Sequence, residues 1–265
     1  MHHREFNTVD TAAYRSPMLR WPPLSKLFLI LSLLVLDIAS PSIWMSVFAG
    51  VTGLSLLLYG SSLKIPRAMV KLFLIAQTFV IVGAFIFTFV TPGEVIATAE
   101  LLGITIGFTK TGVSLALLIY ARATAALLLM FAFTVSTPVP HLANALRKLR
   151  FPDVFVEMMV LIYRYTFLLM ESAERMHLAA ECRFGYHGYR KSMKTTSRLA
   201  VGVFMRSLDT AEKGQATLQC RNYRGEFRSL SEFGKQSRPA TVLCASIICA
   251  AVVFFFALRN GVLTI

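Results

Sequence analysis

The 265-residue chain has little charge: 15% of its residues are Asp, Glu, Lys or Arg, against 55% hydrophobic. Soluble domains carry about 25% charged residues, so an ordinary soluble globule is excluded. Acids are the scarcer sign, 14 against 27 Lys and Arg, for a net charge of +13. There are four cysteines (Cys182, Cys220, Cys244 and Cys249) and no Cys-x-x-Cys pair. Neither a zinc site nor a disulfide framework is expected. No Gly-x-x-x-x-Gly-Lys-Ser/Thr loop is present, since Gly234-Lys235 lacks its partners, and there is no His-Glu-x-x-His. His141, His177 and His187 are scattered. The chain is therefore expected to be non-catalytic, with no metal site and no cofactor of its own. No small-residue cleavage site follows the first apolar run, so no cleavable leader is expected.

What is present is a series of apolar runs long enough for membrane helices, which need about 17–25 residues. They cover Leu24–Ala39, Ile43–Tyr59, Leu72–Val90, Thr111–Val135 and Thr241–Leu258. The first is the shortest. Residues 94–110 read as an outer hairpin or an interfacial helix. The expected fold is an all-α integral membrane protein with about five spans and a cytoplasmic helical region. Its expected divisions are residues 1–135, 136–240 and 241–265. Basic residues mark the cytoplasmic face. The basic N-terminus, the Lys64–Lys71 loop and the segment Ser136–Arg238, with 17 basic and nine acidic residues, fall on that side. This pattern predicts a multi-pass protein of the cytoplasmic membrane with its N-terminus inside. The charge then reflects topology and lipid headgroups rather than nucleic acid.

The large polar segment holds one pattern twice. Glu171-Ser172-Ala173-Glu174-Arg175 recurs 38 positions later as Asp209-Thr210-Ala211-Glu212-Lys213, and Cys182-Arg183 recurs as Cys220-Arg221. His141–Leu149 reads as a short amphipathic helix. Asp153 to about Arg183 reads as a long one, with Glu157, Arg164, Glu171 and Arg175 on one stripe. Arg190–Arg198 reads as a basic linker and Ser197–Arg221 as the second long helix. Gly185 and Asn222 are expected to take the left-handed cap positions. Each copy then ends in an arginine at the negative end of a helix dipole. Arg122, deep in the fourth run, is a site candidate because an intramembrane arginine is costly. It is expected either to contact a partner or to pair with Asp37 or Glu100. Gly50, Gly53, Gly60 and Gly112 read as close-packing positions.

Thr137-Pro138, Ala145-Leu146, Pro152, Tyr163-Arg164-Tyr165, Phe204-Met205-Arg206-Ser207 and Cys220-Arg221-Asn222-Tyr223-Arg224-Gly225, with the proline pair before Lys26-Leu27, resemble the transmembrane T component of energy-coupling-factor transporters. The form is the cobalt-transport one, CbiQ type. The resemblance implies a scaffold between a substrate-binding membrane subunit and two ATP-binding-cassette ATPases, which bind ATP and Mg. It implies that two small–Arg–Gly motifs dock on those ATPases, placing Arg183 and Arg221 in that role with Cys182 and Cys220 beside them. Glycine comes late in both copies, at Gly185 and Gly225. Arg164, Glu171, Arg175, Arg206, Asp209 and Lys213 are the expected supporting residues. Cobalt is the favoured cargo, with nickel next. A stand-alone secondary transporter and a lipid-binding scaffold without transport are the competing readings.

Overall fold

The computed structural model describes residues 14, 16–61, 67–91, 95–101, 104–222 and 238–260. Prolines and hydroxyl side chains punctuate it. Helix α1, Pro23–Ala39, starts on a proline whose fixed φ suits the first turn. It ends at Ser40, since a residue before proline is pushed out of the helical region. Helix α2, Ile43–Gly60, follows, with the Ser42 hydroxyl accepting from the Trp44 amide. Helix α3 spans Arg67–Val90. Strands β1, Val95–Leu101, and β2, Ile104–Thr109, form an antiparallel hairpin with an irregularity between Val95 and Ala97. The hairpin alternative for residues 94–110 is thus the one found. Thr109 donates its hydroxyl proton to the Thr91 carbonyl at 2.7 Å, tying the hairpin to the end of α3.

Helix α4, Lys110–Ser136, is the hub of the first unit and contacts α1, α2, α3 and β2. It also comes very close to α2. A Cβ on Gly53 would stand 3.0 Å from the Leu129 backbone nitrogen, so the two backbones meet where a side chain has no room. The last helix, α8 (Arg238–Arg259), returns to pack on α1 and α2. Leu29, Leu33, Met45, Leu129 and Cys244 are sealed in this core. The outward faces are apolar: Phe79 is 82% exposed, and the exposed Ile75 and Val82 lie beside it on α3. Apolar side chains facing out from an apolar core are what a lipid solvent requires.

Among the described residues, four helical segments are long and apolar enough to cross a membrane: Ile43–Gly60, Met69–Thr88, Thr111–Ser136 and Pro239–Arg259. Helix α1 has 17 residues, about 26 Å at 1.5 Å per residue, against a hydrocarbon core of about 30 Å. Of the roughly five expected spans, the first is therefore the short one.

The chain divides into two compact units, residues 1–138 with 233–265, and residues 139–232. The C-terminal helix thus belongs with the membrane bundle rather than standing alone. In the second unit, α5 covers Val139–Lys148, α6 Asp153–Cys182 and α7 Tyr189–Cys220. Arg147 on α5 pairs with Asp153 at 3.4 Å and Glu157 at 3.9 Å in the first turns of α6. Acids there also suit the helix dipole.

The residues expected to be a basic linker, Arg190–Arg198, are the opening turns of α7. Lys and Arg are good helix formers, and no breaker lies between Gly188 and Ser197. Gly188, with φ of +89°, is the break that starts the helix.

Candidate functional site

The two long helices run antiparallel. Their register is set by close contacts along their length: Tyr165 over Gly214, Met176 over Gly202, and Gly185 against Thr195. Glu171, Ser172 and Arg175 line a groove of about 240 Å³ together with Arg206 and Thr210. Residues of the two copies of the doubled pattern thus share one groove between the helices. Within the copies, Arg175 pairs with Glu171, and Lys213 with Asp209 at 2.8 Å. Arg206 adds a contact to Asp209 at 3.7 Å. The hydrogen bond from Lys213 holds the Asp209 carboxyl below the usual carboxylate range. Arg164 is exposed on α6.

Arg183 and Arg221 each lie twelve residues beyond the acid that opens their copy, and each is the C-cap of its helix. In an antiparallel pair those displacements point in opposite directions. At 1.5 Å per residue, the arginines stand about 36 Å apart along the helix axes. Both are exposed, as are Cys182 and Cys220. Among the described residues, neither arginine is in an ion pair.

The caps explain the late glycine in the first copy. The Gly185 amide donates to the Ala180 carbonyl at 2.9 Å and the Phe184 amide to Glu181 at 2.9 Å. This is the paired bonding of a Schellman cap. The left-handed position, φ of +53°, is Phe184 and not Gly185 as the sequence suggested. Gly185 is needed for space instead. A Cβ on it would lie 2.8 Å from the Ala180 carbonyl oxygen and 3.0 Å from the Thr195 methyl. Thr195 closes the turn by donating to the Gly185 carbonyl at 2.8 Å, and His177 contacts the Tyr186 hydroxyl at 2.7 Å. In the second copy, Asn222 takes φ of +53° as expected, and its amide donates to Gln219 at 3.0 Å. Gly225 lies outside the described residues.

Arg122 lies in the membrane bundle, on α4. It donates a hydrogen bond to the Ser40 carbonyl, in the α1–α2 turn. Its charge also acts on Asp37, whose carboxylate accepts from the Ser46 hydroxyl at 2.6 Å. The side chain of Glu100 lies outside the described residues.

Sequence reasoning passed over Lys26. It is only 3% exposed and donates to the Ser136 carbonyl at 2.8 Å. Pro138 has no amide to offer the last turn of α4, and Ser136 uses its hydroxyl on Phe133. Lys26 supplies the missing donor and places a cation at the negative end of α4. The available signal was an N-terminal lysine in a first helical turn, where a cation is disfavoured by its own helix.

Residues 15–232 match the family model for cobalt transport proteins of the CbiQ type. An uncharacterised protein of Methanocaldococcus jannaschii is 31% identical over 87% of this chain and 85% of its own length. A protein of Methanocorpusculum labreanum, named as a putative fused cobalt transport protein CbiMQ, is 30% identical over 78% of this chain and 34% of its own length. The cobalt transport protein CbiQ of Rhodobacter capsulatus is 30% identical over 57% of this chain and 60% of its own. With its apolar helices and its match to the family across both units, the chain belongs to the CbiQ family of cobalt transport proteins, multi-pass membrane components of transporters with partner subunits.

Proposed function

We propose that this chain is the coupling scaffold of an ATP-driven importer of the energy-coupling-factor type. It passes the motion of two ATP-binding-cassette ATPases to a substrate-binding membrane subunit. The cargo is cobalt, with nickel the nearest alternative. ATP and Mg are bound by the ATPases, and hydrolysis occurs there.

The observation that carries this reading is the antiparallel pair. Two cap arginines, related by the repeat, stand at opposite ends of the pair. Two like docking points suit two like subunits. An exposed guanidinium at a rigid helix end can make charge-assisted contacts to carboxylates on each. Exposed apolar side chains on α7, Val201, Phe204, Met205 and Leu208, recur at helical spacing and fit a helix face that a partner covers. The fused relative supports a separate membrane partner, since this chain aligns to about a third of it. In this reading the N-terminus and the α5–α7 unit are cytoplasmic, following the basic residues.

The test is the double variant Arg183→Ala/Arg221→Ala in the complete transporter. The expected result is a protein that inserts normally, loses its ATPases on purification and no longer supports ATP-dependent uptake. Retained ATPases with normal uptake would sink the reading. Uptake driven by an ion gradient, with no ATPase present, would favour a secondary transporter instead.

A further inference from the structure

The two arginine ends are built differently. Arg183 lies in an open groove of about 610 Å³ between the last turns of α6 and the first turns of α7. The α6 wall is low where Ala179 and Ala180 form it. The α7 wall carries Lys191, Lys194 and Arg198, spaced three and four residues apart and so on one face of the helix. Four cations line the groove and no carboxylate does. From Cys182 to Leu208 the sequence contains no acid at all.

Like charges at this spacing repel along a helix, so the stripe gives the hairpin no stability. The hairpin nevertheless holds it against Arg183. The absent Cβ at Gly185 and the Thr195 hydroxyl bond draw the start of α7 onto the end of α6. The Arg221 end has no such stripe among the described residues. The last ten residues of α7 hold one base, Lys213, and it is bound to Asp209.

We infer that the groove at Arg183 receives an acidic surface of a partner ATPase, and that Lys191, Lys194 and Arg198 steer it there. The Arg183 end then captures its ATPase fast and in a salt-sensitive way. This rests on the coupling reading above and deepens it. Charges around a contact govern association rate and salt dependence more than they govern dissociation.

The test uses the full-length chain in nanodiscs and the ATPase recovered with the wild-type complex. Association and dissociation rates are measured from about 50 to 500 mM salt, a range over which screening becomes strong. The variant Lys191→Gln/Lys194→Gln/Arg198→Gln keeps helix-forming side chains and removes the charge. It is expected to associate about tenfold more slowly at low salt, with a flattened salt dependence and a dissociation rate within about twofold of wild type. Arg221→Ala is expected to keep the steep salt dependence. The charge-keeping variant Lys191→Arg/Lys194→Arg/Arg198→Lys is expected to behave as wild type.

Wild-type salt dependence in the glutamine variant would overturn the inference. So would lost binding to phosphatidylglycerol vesicles with ATPase association unchanged, which would assign the groove to lipid. If Arg183→Ala/Arg221→Ala keeps its ATPases, the coupling reading itself fails. If that variant loses them while the glutamine variant matches wild type, only the groove inference fails.

Discussion

Arginine serves opposite ends in the two units. In the membrane bundle, Arg122 is turned inward and donates to the Ser40 carbonyl of the chain itself, with its charge acting on Asp37 at longer range. In the helical hairpin, Arg183 and Arg221 stand at exposed helix ends, outside any ion pair among the described residues. The surroundings account for the difference. A cation in lipid must be answered within the protein, whereas one in water is free for an outside partner. Among the acids, Asp37 is fully buried, while Glu171 is exposed, Asp209 is partly exposed, and each is paired along its own helix.

This contrast can be broken experimentally. Arg122→Ala has the largest expected effect, a loss of about 3 kcal/mol, because it orphans the Ser40 carbonyl and removes a cation that acts on the buried Asp37. Thermal unfolding in detergent reads it, and Asp37→Asn in the same background should recover part of the loss. A variant as stable as wild type would show that Arg122 is not answered within the bundle.

Lys26→Met should cost about 2 kcal/mol in the same assay by orphaning the Ser136 carbonyl. A neutral result would mean that another group caps α4. Phe184→Gly should act the other way. It relieves a left-handed phenylalanine and should stabilise the α6–α7 hairpin by about 1 kcal/mol. Hydrogen exchange at the turn would show it as stronger protection, and weaker protection would mean that the exposed ring of Phe184 has a packing role.

The smallest effect concerns Asp209. Its carboxyl titrates below the ordinary range, so its contribution is fully present above about pH 4, the unfolded value. It is lost as the pH falls through the lower folded value. The hairpin should therefore show no change traceable to Asp209 between pH 6 and 8. A change there that vanished in Asp209→Asn would contradict the assignment.

Much of this was legible in sequence. The apolar runs match the helix bounds within a few residues, because a membrane helix must satisfy its backbone internally and announces itself by composition. Asp153 and Asn222 marked their helix ends correctly, through local chemistry that acts over one turn. Gly185 did not. A glycine near a helix end signals either a left-handed φ or a lack of space, and only the neighbouring Thr195 distinguishes them. The Arg190–Arg198 stretch misled because charge density reads as solvated linker, while helix propensity in those residues is high.

The doubled pattern was visible from the start, with its two arginines at a fixed offset. Sequence alone determined the membrane character, the apolar helices and the arginines that end the two long helices, because composition, periodicity and capping are local. Only the tertiary structure decided that the copies run antiparallel, that their arginines stand at opposite ends of the pair, and that a supposed linker lines the groove of one of them. Those facts depend on contacts between residues far apart in the chain, and no local pattern encodes the direction in which one helix returns past another.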